Sequence, residues 1–223
     1  MTATVRPGSP PGSRAPDDAP VRRLPAGERR QQLFAVALEL FAERGYRATT
    51  MDDIAEAAGV TKPLVYQHFS SKRALYLELV DSVSAELLAA ISEAATRAEG
   101  PRQQVELGFA AYFKMVVTHE AAFRLLYGRD DADDQELGDA MRRVEDAIAE
   151  AIDPLIDAGL EPGHRRFLAY AVVGMAEGAS RQWLATRRAS GNGDGHEADA
   201  EAARLASRLA DLAWAGLRSV HAD

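Results

Sequence analysis

Residues 49–75 read TTMDDIAEAAGVTKPLVYQHFSSKRAL, and this stretch decides the fold. It holds two short apolar patterns on either side of Gly59, with hydroxyl side chains where helices can begin. Thr50 is followed three residues later by Asp53, a spacing close to a capping box, so a helix is predicted to start after Thr50. Gly59 is predicted to end this helix, because glycine tolerates the positive φ of a sharp turn.

A second short helix is predicted after Thr61. Pro63 falls in its first turn, where a missing backbone N–H costs little. Val65 and Phe69 can point inward together, which leaves the other side of the helix facing outward. Two short helices joined by a glycine turn form a helix-turn-helix, whose second helix enters the major groove of DNA.

The outer face of that second helix carries groups that can meet DNA. Lys62 can donate to guanine O6 and N7 or to a phosphate, and Gln67 can pair with adenine. Each such residue alone is more often a solvated charge or half-buried packing, so the joint spacing on one helix is what favours DNA. The predicted DNA contacts are Thr50, Lys62, Pro63, Leu64, Tyr66, Gln67, His68 and Lys72.

Residues 30–75 resemble the N-terminal domain of the TetR (tetracycline repressor) family of transcriptional regulators, over about a fifth of the chain. The matching residues are Leu40-Phe41, Gly45-Tyr46, Thr49-Thr50, Asp53-Ile54-Ala55, Ala58-Gly59-Val60, Tyr66, His68-Phe69, Ser71-Lys72 and Leu75. The resemblance implies that Tyr66 and Lys72 contact the DNA backbone, with Lys62 and Gln67 as the more variable base readers.

Helical periodicity runs along the whole chain, and period-2 runs of branched residues are nearly absent, so the predicted class is all-α. Gly45 is predicted as the αL C-cap of the first helix. A flexible loop is predicted at 189–199. The other predicted helices are 27–44, 72–97, 102–118, 120–127, 133–158, 162–188 and 198–220. The predicted divisions are a disordered Pro/Gly/Ala-rich tail (1–24), a three-helix helix-turn-helix DNA-binding domain (25–73) and a helical bundle (74–223).

The resemblance implies that the bundle binds a small ligand and dimerises. Residues 109–127 hold five of the thirteen Phe and Tyr residues together with Met115. Aromatic residues at helical spacing are usually core, although a bundle can also use them to line a cavity. The predicted ligand contacts are Phe109, Tyr112, Phe113, Phe123, Tyr127, Met141, Tyr170, Met175 and Trp183.

The last helix carries two apolar stripes, more than one neighbour can cover, which favours a partner chain. One stripe is Leu205, Leu209 and Leu212, and the other is Ala206, Ala210, Ala213 and Leu217. The resemblance implies a homodimer through the last two long helices. Its two recognition helices would lie about one DNA turn apart, roughly 34–36 Å, on a palindromic double-stranded operator.

Charge is uneven along the chain. Residues 1–75 carry 11 Lys and Arg against 8 Asp and Glu, whereas the whole chain has a net charge of −8. The absence of cysteine excludes disulfides, cysteine–zinc sites and thiol catalysis. We find no HExxH motif and no Gly-rich phosphate loop, so no metal, no cofactor and no enzymatic activity are predicted.

The resemblance therefore implies a ligand-responsive repressor that is released from its operator by a small, apolar ligand. We expect it in the cytoplasm, because neither a signal peptide nor an apolar run of roughly 18 residues for a membrane span is recognisable. Two alternatives stay open, namely control by a protein partner and activation of transcription. A helical enzyme is a further, weaker alternative.

Overall fold

The secondary structure of the described residues is helical throughout. The computed structural model describes residues 24–127, 135–156, 159–190 and 195–220, and no β-strand occurs among them. The helices are α1 (Ala26–Ala48), α2 (Met51–Ala57), α3 (Lys62–His68), α4 (Lys72–Thr96), α5 (Pro101–Thr118), α6 (Glu120–Tyr127), α7 (Gln135–Ile152), α8 (Pro162–Ser190) and α9 (Gly195–Leu217). The prediction of an all-α chain that begins with a helix-turn-helix is confirmed.

Helix α1 is kinked at Gly45, three residues before its last residue, Ala48. The φ of Gly45, 78°, is positive, as expected for glycine, but its ψ of 166° is not that of the αL cap predicted from sequence. After this kink the chain reaches Thr49, which is buried. The Thr49 hydroxyl donates to the Gly45 carbonyl at 2.9 Å and approaches the Leu40 carbonyl at 3.3 Å. This local bonding fixes where α2 begins.

Two later boundaries differ from the sequence expectation. The helix predicted over 133–158 ends as an α-helix at Ile152 and tightens into a 3₁₀ turn at Asp153–Leu155. Pro154 is the reason, because proline has no N–H for an α-helical bond and its ring crowds the preceding turn. The loop predicted over 189–199 is shorter than expected, since α9 already starts at Gly195, with the acidic Glu197 in its first turn. Most of the predicted tail at 1–24 lies outside the described residues.

Helix α4 connects the first three helices, here called the head, to the remaining bundle. Leu75 and Leu79 are fully buried along α4. Tyr76 makes edge contacts with the rings of Phe41 and Tyr46 at 5.2 and 5.0 Å. The Tyr76 hydroxyl lies 3.3 Å from the Leu125 carbonyl of α6 and donates to it. Tyr76 of α4 therefore contacts both the head, through α1, and the bundle, through α6.

The two apolar stripes of α9 have different surroundings. The alanine stripe is buried, and α9 packs mainly on α5. Small side chains let two helices approach closely, so alanine suits this interface. On the other stripe, Leu205 and Leu209 are half-buried and Leu212 is 60% exposed. Along the described chain, no helix is both long enough and apolar enough to cross a membrane.

Candidate nucleic-acid interface and ligand cavity

Local hydrogen bonds fix the start of α2. The Thr50 Oγ1 atom accepts from the Asp53 backbone N–H at 3.1 Å, and the Asp53 carboxylate accepts from the Thr50 backbone N–H at 2.7 Å. This is the reciprocal capping box that the sequence spacing predicts. The Thr50 hydroxyl also donates to the same carboxylate, and these bonds lower the pKa of Asp53 from its ordinary value.

We expect Asp53→Asn to make folding less sensitive to acid. A carboxyl whose pKa is lower in the folded state stabilises the fold above its unfolded pKa and loses that effect as pH falls through the folded value. In the wild type this loss falls below about pH 4. Urea unfolding between pH 6 and 3 should show a shallower acid decline in the variant. Glu39→Gln, which removes an exposed carboxylate from α1, should leave the decline unchanged; a steep decline in Asp53→Asn would contradict the argument.

The turn between α2 and α3 sets the direction of α3. Gly59 has a φ of 65°, as predicted from the glycine at this position. The Val60 N–H donates to the Ala55 carbonyl at 2.9 Å, which closes the turn. Val65 is fully buried, and Phe69 stacks on Phe34 with 6.3 Å between ring centroids. With these inner contacts made, the opposite side of α3 faces solvent.

Seven of the eight predicted DNA contacts are at least partly accessible to solvent outside the start of α4. Five of them are exposed and two are half-buried, and all seven belong to α3 or to the cap of α2. The exposed ones are Thr50, Lys62, Pro63, Tyr66 and Gln67; the half-buried ones are Leu64 and His68. Tyr66 keeps 46% of its surface accessible. The exposed side of α3, which carries Lys62, Pro63, Tyr66 and Gln67, is called the α3 face below.

Lys62 is paired with an acid on the neighbouring helix. Its Nζ atom lies 2.8 Å from Oδ2 of Asp52, and the hydrogen bond from this ammonium raises the pKa of Lys62. Both side chains remain largely exposed. The lysine expected to read DNA is therefore held by Asp52 in the free protein.

Lys72 is directed toward the chain rather than straight into solvent. Its Nζ donates to the carbonyls of Tyr46 at 2.7 Å and Thr49 at 2.9 Å, and lies 4.2 Å from the centre of the Tyr46 ring. These bonds tie the start of α4 to the connection between α1 and α2. A phosphate contact by Lys72 stays a prediction, and the geometry adds an anchoring function that the sequence did not reveal.

Two arginines near the start of α1 also have partners within the fold. Arg30 lies 4.7 Å above the Phe69 ring and pairs with Glu78 of α4. Arg29 bonds Gln32 within α1. In the structure both arginines therefore take part in the packing of the head.

A small apolar cavity lies in the bundle behind the head. Its volume is about 90 Å³, and α4, α5, α7, α8, the 3₁₀ turn and the end of α9 surround it. Gln104 and Tyr112 are the lining side chains that carry a polar group, and no charged residue lines it among the described residues. The Tyr112 hydroxyl pairs with the buried Ser180 hydroxyl at 3.0 Å. The arrangement can hold an apolar molecule with at most a few polar contacts.

Two of the nine predicted ligand contacts, Phe109 and Tyr112, line this cavity. Phe113, Phe123 and Trp183 are buried in the aromatic core beside it, with edge contacts of 5.2–6.2 Å between rings. The remaining ones are placed as follows: Met141 and Met175 are half-buried against the core, Tyr170 bonds Asp146 and Arg166, and the Tyr127 side chain lies outside the described residues.

Sequence reasoning missed most of the cavity wall, which is aliphatic. Ile91, Ile148 and Val173 are examples. The sequence feature that could have indicated the cavity is a set of small residues on facing helices, such as Gly108 and Ala176. Larger side chains at these positions would fill the space that the cavity occupies. No group of three or more His, Cys, Asp or Glu side chains that could hold a metal ion occurs in the part of the chain that the structure describes.

Two family models match the chain. Residues 33–79 match the model for bacterial regulatory proteins of the tetR family, and residues 101–216 match the tetracyclin repressor-like C-terminal domain. The first match contains the α3 face, and the second contains most of the cavity wall. The two matches together therefore cover both candidate sites.

Individual proteins show the same similarity. The HTH-type transcriptional activator FasR of Mycolicibacterium smegmatis is 35% identical over 164 residues, covering 73% of this chain and 75% of FasR. The HTH-type transcriptional repressor KstR2 of Mycobacterium tuberculosis is 36% identical over 93 residues, 42% of this chain and 46% of KstR2. A TetR-like transcriptional regulator from Rhodococcus sp. RHA1 has a similar solved structure, with a TM-score of 0.69, 26% identity, and coverage of 89% of this chain and 100% of that one.

Proposed function

Because the chain belongs to the TetR family of transcriptional regulators, we propose that it binds a palindromic operator as a homodimer and is released by a small apolar ligand. In this proposal, residues 25–73 bind DNA and residues 74–223 bind the ligand and the second subunit. Two parts of the chain carry this function, namely the α3 face and the cavity, and α4 connects them. The observation that carries the proposal is the α3 face.

The α3 face supports DNA binding because Tyr66 and Gln67 expose polar groups to solvent there. Tyr66 and Gln67 point away from the buried Val65 and Phe69 on the same short helix. Phenol and amide groups can bond phosphates and base edges, and a recognition helix must present such groups to the major groove. The overall acidic charge does not oppose this, because phosphates respond to the local face.

The cavity supports control by an apolar ligand. At about 90 Å³ it is smaller than the roughly 300–1,000 Å³ of a site for a drug-sized ligand, so such a ligand must widen it. Ile91 and Ala95 of α4 form part of the wall, and Lys72 at the other end of α4 bonds the α1–α2 connection. A ligand that binds the widened state better therefore shifts the position of the head.

The dimer proposal is supported by the outer surfaces of α8 and α9. Leu212 is 60% exposed, and Gly174 and Gly178 lie exposed on α8. An exposed leucine on one helix and exposed glycines on the other are suited to close packing against a second pair of helices. In a two-fold interface the same patch is used by both subunits.

We expect Leu212→Arg to produce a monomer. Two-fold symmetry brings both copies of the new arginine into the interface, where an unpaired buried charge is strongly unfavourable. The dimer dissociation constant should rise by roughly 100-fold or more, measured by sedimentation velocity over a protein dilution series. Ala89→Arg makes a comparable change on an exposed position of α4 and should leave the dimer intact. A Leu212→Arg protein that stays dimeric would place the interface elsewhere.

Activation is the second candidate, because FasR, which the chain matches over most of its length, is named as an activator. KstR2 is named as a repressor. The two activities differ in where the operator lies relative to the promoter. Deleting the gene should raise transcription of the neighbouring operon if the protein represses, and lower it if the protein activates.

The first experiment is a mobility shift with the purified protein and the intergenic DNA upstream of its own gene. Specific binding that weakens steeply between 50 and 200 mM salt is expected, because phosphate contacts release counterions. Addition of an apolar effector should reverse the shift. The DNA-binding function fails if no specific complex forms on that DNA or on any duplex selected from a random pool.

A further inference from the structure

The Asp52–Lys62 pair lies at the edge of the α3 face. Asp52 is in the first turn of α2, and Lys62 is the first residue of α3. The ammonium and the carboxylate are 2.8 Å apart, with 49% and 65% of the respective side chains exposed. An ion pair this exposed contributes little to stability. An acid at this edge also weakens the attraction of the face for phosphates.

The hydrogen-bond donor of Lys62 and the acceptor of Asp52 complement the groups that one base pair presents in the major groove. In the major groove, a G·C pair presents the guanine N7 and O6 acceptors beside the cytosine N4 donor. Lysine donates to guanine and aspartate accepts from cytosine N4. An ammonium has three hydrogens and a carboxylate has about four acceptor positions, so each group can bond a base while the pair stays intact.

We propose that Asp52 and Lys62 together read one G·C pair in each half of the operator, with Asp52 as a specificity-determining residue. Asp52 accepts from cytosine N4 and orients the Lys62 ammonium toward guanine O6 and N7. In the free protein the same bond keeps Lys62 from binding phosphates indiscriminately. The inference rests on the proposed function, because it requires α3 to lie in the major groove.

The variant Asp52→Asn distinguishes base recognition by Asp52 from a purely structural function of the ion pair. The amide offers both a donor and an acceptor, so it no longer selects cytosine N4, and it no longer holds the lysine by charge. Preference for G·C at one position of each half-site should fall roughly tenfold. Affinity for non-specific DNA should rise at the same time, with a salt slope steeper by about one, because Lys62 becomes available to a phosphate. A change that only destabilised the head would weaken specific and non-specific binding together, so opposite changes in the two affinities are the outcome that distinguishes them.

The experiment is selection of duplexes from a random pool by full-length wild type, Asp52→Asn, Lys62→Met and Glu56→Gln, followed by sequencing. Glu56 carries the same charge on an exposed position of α2, four residues after Asp52, and is the matched control. Lys62→Met tests the pair from its other member, should Asp52→Asn fold poorly. Thermal unfolding by circular dichroism verifies each variant.

Support consists of a symmetric wild-type motif with a G·C position that relaxes in Asp52→Asn and Lys62→Met but not in Glu56→Gln. The inference is overturned if Asp52→Asn keeps the wild-type motif, if all positions relax equally, or if the affected position is A·T. If the wild type selects no motif, both the proposed function and this inference are contradicted. If the wild type selects a clear motif and Asp52→Asn selects the same motif, only the inference is contradicted.

Discussion

Lys72→Ala is expected to lower operator affinity by roughly 10- to 100-fold. The substitution deprives the Tyr46 and Thr49 carbonyls of a charged donor and removes the cation from the Tyr46 ring. Hydrogen bonds to charged groups contribute about 1.5–3 kcal/mol, so the join between α4 and the α1–α2 connection should loosen. The direct measurement is a mobility shift with the selected operator, beside urea unfolding of the same protein.

Two further variants separate anchoring from phosphate contact. Lys72→Met keeps a long side chain over the Tyr46 ring but has no charge and no donor. If Lys72 also contacts a phosphate, the slope of log affinity against log salt should fall by about one in this variant. If Lys72 only anchors α4, affinity falls while the slope stays constant. Lys114→Ala, which removes an exposed lysine of α5 paired with Asp199 of α9, should bind as wild type; unchanged affinity in Lys72→Ala would contradict both functions.

Gly108→Leu is expected to abolish ligand binding while the protein remains folded and bound to DNA. Gly108 lines the cavity, and a Cβ atom added there would meet nothing within 4 Å. A leucine side chain at this position would occupy space within the cavity. Replacing glycine inside a helix also favours the helix by up to about 1 kcal/mol. The variant should therefore hold the operator and ignore the ligand.

The measurement is fluorescence of N-phenyl-1-naphthylamine, a neutral apolar probe, titrated with each protein. Wild type should enhance the fluorescence, and Gly108→Leu should weaken binding by roughly 100-fold, equivalent to about 2.7 kcal/mol. Gly108→Ala is the matched control, because it adds only a Cβ and should gain helix stability while retaining the probe. Equal binding by Gly108→Leu and wild type would locate the ligand site outside this cavity.

The helix-turn-helix was predictable because its determinants are local. The Thr50–Asp53 capping box spans three residues, and the positive φ of Gly59 follows from a single residue. The Asp52–Lys62 pair joins side chains ten positions apart on different helices. Its formation depends on the angle between α2 and α3 and on two side-chain rotamers, neither of which a sequence pattern specifies. The Lys72 bonds to backbone carbonyls were hidden for the same reason.

The cavity illustrates a different limit. Large aromatic residues are conspicuous in a sequence, yet Phe123 and Trp183 fill space in the core instead of enclosing it. A cavity forms where side chains are too small to meet, as at Gly108 and Ala176. Whether small residues on two helices face each other depends on how the helices cross. All nine ligand contacts therefore stay predictions, and Phe109 and Tyr112 are the ones among them that line this cavity in the described part of the chain.

The length of α4 has a geometric consequence. A helix of 25 residues is about 37 Å long at a rise of 1.5 Å per residue. A tilt of about 5° around its cavity end would displace the Lys72 end by about 3 Å, close to the 3.4 Å rise of one base pair. If the head binds DNA as proposed, a rearrangement of a few aliphatic side chains around Ile91 that tilts α4 in this way would move the head by about one base-pair step relative to the operator.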